Sequence, residues 1–129
     1  MTELLAHLVG DYFLQSDWMA LNKTKANWPA FCHVIFYSLP FLLLDPSLLA
    51  ILFIIGSHFA IDRWRLARYV CWIKNYLAEP VSSNPSFSEC DITGYPKTRP
   101  DWLTVWLLII TDNTMHLLCN HFALNFWRP

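Results

Sequence analysis

Charge is what this 129-residue chain has least of: only 15% of its residues are Asp, Glu, Lys or Arg, against about a quarter in an ordinary soluble domain. That composition excludes a disordered chain and a charge-laced coiled coil, and the length excludes a multidomain enzyme. Positive charge is not in excess either, with nine Lys and Arg against ten Asp and Glu. Binding to duplex nucleic acid is therefore not expected, because that affinity rests on clustered cations. The four cysteines, Cys32, Cys71, Cys90 and Cys119, show no C-x-x-C spacing, which argues against a zinc finger or a disulfide framework. Before the first apolar stretch stand only Thr2 and Glu3. Without a basic n-region, a cleaved signal peptide is not expected.

What is present is apolar and concentrated. Hydrophobic residues make up 55% of the chain and aromatic ones 16%. Between Lys25 and Arg63 the only charges are Asp45 and Asp62, and Leu44-Asp45-Pro46-Ser47 divides that run near its middle. Each half approaches the roughly 17 to 25 residues that a spanning helix needs. From Trp102 to Trp127 there is again a single formal charge, Asp112. A first helix candidate, about Thr2 to Met19, is short for a span. The expected fold is thus all-α: one helical membrane domain over residues 1–129, a compact antiparallel bundle of four main membrane-embedded helices, with Pro40 as a bend in the second. The Pro- and Ser-rich stretch Pro80–Pro100 reads as a polar loop. The segment holding Arg63, Trp64, Arg65, Arg68, Tyr69, Trp72 and Lys74 belongs at a membrane surface. Lys23, Lys25, Lys97 and Arg99 put the basic connections on the cytoplasmic side.

Three of the five histidines have an aspartate four residues away: His7 with Asp11, His58 with Asp62, and Asp112 with His116. Positions i and i+4 share a helix face, so each helix offers an imidazole and a carboxylate in one direction. The order reverses in the last pair, which in antiparallel neighbours sets imidazole level with imidazole. His58 follows Ser47 by as many residues as His116 precedes Trp127, placing both about 16 Å from the same membrane face. Ionisable groups at membrane depth are costly and need partners. Three pairs in register point to a metal site of His7, Asp11, His58, Asp62, Asp112 and His116, with His33 within reach as a further ligand. The ion expected is a divalent transition metal, zinc first and manganese or iron next, one ion or two. Asp62 and Asp112 are the candidates for a catalytic base. Gln15, Lys23 and Arg65 are placed to hold a substrate. His121 points away from His116 and is left out.

These residues resemble a family of small bacterial and phage membrane proteins of unknown function. Its pattern is H-x-x-x-D followed by L-Q, a second H-x-x-x-D, then D-Q-x-x-H, here His7 to Asp11 with Leu14-Gln15, His58 to Asp62, and Asp112 to His116 with Asn113 in place of Gln. More remotely, the family is similar to predicted membrane-bound metal-dependent hydrolases linked to zinc phospholipase C and nuclease-type phosphodiesterases. The resemblance implies a multi-pass protein of the bacterial inner membrane, of phage origin in some members, hydrolysing an anionic phosphoester such as a lipid headgroup or a nucleotide. Two other readings of the same residues stand beside it. One is a non-catalytic membrane protein, for superinfection exclusion or host-membrane modulation, with a structural His/Asp site; the other is a proton or ion pathway. Its expected partners are the lipid bilayer and, because four short helices bury little surface, a second copy of the chain.

Overall fold

The computed structural model describes residues 2–78 and 85–127, and among them there are six α-helices and no strand. The all-α expectation holds. The chain divides into two compact units, one of Met1–Trp64 with Met115–Pro129 and one of Arg65–Thr114.

In the first unit, helix α1 (Glu3–Leu8) begins at Thr2, whose Oγ1 accepts a hydrogen bond from the Leu5 N–H at 3.3 Å. The continuous helix expected to run to Met19 does not form. After Leu8 the backbone widens into a π-turn, Val9–Phe13, and a new helix α2 (Asp17–Asn22) starts at Ser16, whose Oγ accepts from the Met19 N–H. A serine at this place offers the backbone a cap in competition with another helical turn. The six residues of α1 span about 9 Å, far short of a bilayer.

Helix α3 (Asn27–Ser38) continues as 3-10 turns through Leu39–Leu44. The change falls at Pro40, which has no N–H to give the Phe36 carbonyl, so the expected bend takes the form of a tighter coil. Asp45 then turns the chain with φ 51°, and Ser47 caps helix α4 (Leu48–Arg63) through the Ala50 N–H. At 16 residues α4 is about 24 Å long, below the roughly 30 Å of a hydrocarbon core. It stops at Trp64, and Arg65 takes the left-handed φ of 51°. This turn ends α4 before the basic segment.

Among the described residues two helices are long and apolar enough to cross a membrane: Asn27–Leu44 and α6 (Asp101–Phe126). The sequence reading of four membrane-embedded helices is corrected to these two. Composition had shown apolar length, but the turns at Ser16 and Arg65 cut the other segments short.

The core of the first unit joins Ala6, Tyr37, Phe41, Ala50, Ile54 and Ala123. α3 packs on α4 and α2 on α3. On the outside, Leu42, Leu43, Leu48, Leu49 and Leu52 are all more than half exposed. An uncovered row of leucines of this kind suits contact with lipid better than with water.

In the second unit, α5 (Leu66–Ala78) buries Ala67 and Cys71. Of the predicted loop, residues 79–84 lie outside the described residues. The remainder is held by specific contacts. The Arg65 guanidinium donates to the Ile92 carbonyl at 2.6 Å, Arg68 to Asp91 O at 2.8 Å and Trp72 Nε1 to Pro85 O at 3.1 Å, while the Tyr69 and Phe87 rings stack at 4.7 Å. Ser86 and Glu89 form a reciprocal cap around the turn Phe87–Glu89, and the Ser86 hydroxyl, with its N–H, holds the Glu89 carboxyl below its ordinary pKa. Gly94 has φ 81°, and a Cβ there would run into the Arg68 carbonyl and the Cys71 side chain. Only glycine satisfies both conditions.

Candidate metal centre

Four side chains from three elements of the first unit converge: Asp11 from the π-turn, His33 from α3, and His58 and Asp62 from α4, all buried. His58 and Asp62 arrive together because they are one turn apart on the inner face of α4. His33 arrives because α3 packs on α4. Asp11 arrives through the π-turn, a local widening that re-aims a side chain without ending the helix.

The distances are those of ligands around one ion. His33 Nε2 lies 2.9 Å from His58 Nε2, 3.1 Å from Asp62 Oδ2 and 3.2 Å from Asp11 Oδ1. His58 Nε2 lies 3.0 Å from Asp62 Oδ2 and 3.8 Å from Asp11 Oδ1. Bonds of about 2.0–2.1 Å to a tetrahedral ion place ligand atoms about 3.3 Å apart. The group could therefore hold a metal ion with little rearrangement. A proton shared between the two imidazoles satisfies that pair alone and leaves the carboxylate oxygens facing the same point.

Lys23, at the end of α2, completes the cluster. Its Nζ lies 2.9 Å from Asp62 Oδ2, 3.5 Å from Asp11 Oδ1 and 3.2 Å from His33 Nε2. Two carboxylates against one ammonium leave one negative charge in excess when the imidazoles are neutral. In a buried site such an excess calls for a further positive charge, supplied by a metal ion or by a proton on an imidazole that contacts the carboxylates.

Stacking sets the plane of the central imidazole. His58 lies between Tyr37, at a ring-centroid distance of 3.5 Å, and His116, at 3.9 Å. The Nδ1 atoms of His33 and His58 are buried and make no hydrogen bond among the described residues, so packing rather than a bonded partner aims their Nε2 atoms inward. Behind this layer the Tyr37 hydroxyl accepts from Asn120 Nδ2 at 2.6 Å and faces His7 Nδ1 at 3.0 Å. Tyr37 thus ties His7 and Asn120 together through one hydroxyl, and the His7 tautomer sets which way the His7 hydrogen bond runs. Tyr37→Phe strands two buried polar groups. It is expected to lower stability by about 1–3 kcal/mol, read as a reduced midpoint of thermal unfolding, while the metal still binds.

The other residues singled out in the sequence are placed as follows. His7 is buried behind Tyr37 and is not among the four convergent groups. His116 Nε2 reaches Asp62 Oδ1 at 3.5 Å, so the two oxygens of Asp62 face different imidazoles. Gln15 is half-buried, with its Oε1 making no hydrogen bond among the described residues. Asp112, half-buried, and Asn113 lie on the part of α6 that belongs to the second unit, where the Asn113 amide donates to the Ile109 carbonyl at 2.9 Å. Arg65 also belongs to that unit and is engaged by Ile92. His121 is exposed and bonded to Glu3, turned away as its spacing required. Sequence reasoning missed Tyr37 and Asn120. Each stands four residues after a histidine, His33 and His116, and the same i, i+4 rule extended to uncharged polar residues finds both.

No curated protein and no solved structure matches the chain significantly. The model of a family described as protein of unknown function (DUF3307) matches residues 1–119. A match over that length means that the chain belongs to this family.

Proposed function

We propose that the protein is a membrane-embedded, metal-dependent hydrolase of an anionic phosphoester, with Asp11, His33, His58 and Asp62 as ligands of a zinc-class ion. The observation that carries this reading is the mutual spacing of their four ligand atoms, 2.9 to 3.8 Å across the pairs that include an imidazole nitrogen. Asp11, His33, His58 and Asp62 would hold a divalent ion through two imidazoles and two carboxylates, and such an ion would supply the Lewis acidity that phosphoester hydrolysis needs. Among the chain's own residues, Lys23 supplies a cation at the edge of the centre. The two spanning helices and the row of exposed leucines support an integral position in the membrane. The basic link around Lys23 and Lys25 supports a cytoplasmic opening of the site.

A second reading has its own observation. The Lys23 ammonium already pairs with both aspartates, so the cluster is also suited to holding a non-catalytic membrane protein together. One experiment separates the two. Purified in lipid nanodiscs and analysed by plasma mass spectrometry, the protein is expected to carry one transition-metal ion per chain and, so loaded, to release phosphate from a panel of lipid and nucleotide esters. Protein that binds no metal supports the ion-pair scaffold. Metal-loaded protein that leaves every ester intact supports a structural metal.

A further inference from the structure

Lys23 differs from the rest of the cluster in exposure. Its side chain is 15% accessible, against 6% for Asp11, 4% for Asp62, 1% for His58 and none for His33. It sits just beyond α2, ahead of the apolar helix Asn27–Leu44, on a flexible four-carbon stem.

The charges of the centre then require a change of partner. With its imidazoles neutral and no ion bound, it holds two carboxylates and one ammonium, an excess of one negative charge, and it attracts a cation. Filled by a divalent ion, the same groups sum to an excess of one positive charge, and the centre attracts an anion. The Lys23 ammonium is drawn to Asp11 and Asp62 in the first state. In the second it is repelled by an ion that has taken over the oxygens it contacted.

Resting on the metal-centre reading above, we infer that Lys23 is an exchangeable counter-ion. It occupies the mouth of the empty centre and is displaced outward by the entering metal. There its ammonium, together with the ion, forms a binding subsite for a phosphate-type anion. The geometry suits this exchange: Nζ touches three of the four ligand atoms from outside the group rather than replacing one of them. The anion class follows from the local chemistry, an ammonium with three donors beside an oxygen-seeking metal. No bond is made or broken in the exchange. Lys23 is a positioning residue for cation and anion alike.

The test measures zinc binding and then inorganic phosphate binding to the full-length protein in nanodiscs, for the wild type and for Lys23→Met. A nearby like charge shifts the affinity of a charged species by one to three powers of ten. Lys23→Met is therefore expected to bind zinc at least tenfold more tightly than the wild type and, once zinc-loaded, to bind phosphate about tenfold more weakly. Lys23→Arg keeps the charge and is expected to follow the wild type in both. Equal zinc affinity in the wild type and Lys23→Met overturns the counter-ion role while leaving the metal centre intact. Absence of zinc uptake by either protein overturns the metal centre itself. Acylation of the wild type, read by peptide mass spectrometry, needs no variant. Zinc is expected to raise modification of Lys23 several-fold and added phosphate to lower it again. Modification that does not respond to zinc overturns the displacement.

Discussion

Asp62→Asn is expected to empty the metal centre. Asp62 turns its two oxygens to different partners: Oδ2 faces Lys23, His33 and His58 at 2.9 to 3.1 Å, and Oδ1 faces His116 at 3.5 Å. The amide keeps the shape and the packing but removes the negative charge. It also turns one acceptor into a donor, aimed either at the imidazole nitrogens and the ammonium or at His116. Partners one step removed from an ion are commonly worth about 10–100-fold in affinity. Loss of a direct anionic ligand is expected to exceed ~100-fold. With metal in excess, binding to the native state raises stability by RT ln(1 + [L]/Kd), about 2.7 kcal/mol at a concentration of 100 Kd. Wild-type protein should therefore unfold at a higher temperature when zinc is added, and Asp62→Asn should not. A zinc-dependent shift of the same size in the variant would remove Asp62 from the ligand set and with it the proposed geometry.

The members of this centre were legible in the sequence because burial of ionisable groups is expensive. His58 and Asp62 stand one turn apart in a helix with no other charge before Arg63, and a polar pair at that spacing is visible without any structure. His33 was reachable by depth alone. Less legible was the direction in which each group points. The i, i+4 rule places His7 and Asp11 on a common face, but the π-turn at Val9–Phe13 alters the rotation per residue. His7 meets Tyr37, whereas Asp11 meets His33 and Lys23. Nothing in a periodicity argument signals a π-turn, since it arises from packing against α3. Helix ends failed for a related reason. The helix expected over Thr2 to Met19 passes through Ser16, but a side-chain cap there starts a new helix, and a left-handed backbone at Arg65 marks the turn after α4. Apolar length was read correctly as a property of composition, and it overestimated the number of helices able to span a bilayer.

Packing of that π-turn leads to the second large effect, at a residue with no chemistry of its own. Gly10 lies against α3 so closely that an added Cβ would stand 2.5 Å from the Tyr37 carbonyl oxygen, 2.9 Å from its ring and 3.0 Å from its Cα. Two of these three atoms are backbone of a buried helix and cannot swing aside as a flexible side chain would. Gly10→Ala must therefore push the π-turn away from α3, and Asp11, the next residue, moves with it. Overpacking of this kind costs about 1–3 kcal/mol, occasionally more. The shift also draws the Asp11 carboxylate away from His33, with which it now stands at 3.2 Å. Two losses are expected together: a lower unfolding midpoint without metal, and zinc affinity reduced about tenfold or more, as for a ligand held off its position. Gly56, on α4, is the internal control. A Cβ there meets no atom within 4 Å, and because alanine favours a helix over glycine by about 1 kcal/mol, Gly56→Ala should be neutral or stabilising and should bind zinc as the wild type does. If Gly10→Ala matched Gly56→Ala in both measurements, the close approach of the π-turn to Tyr37 would not be what brings Asp11 into the centre.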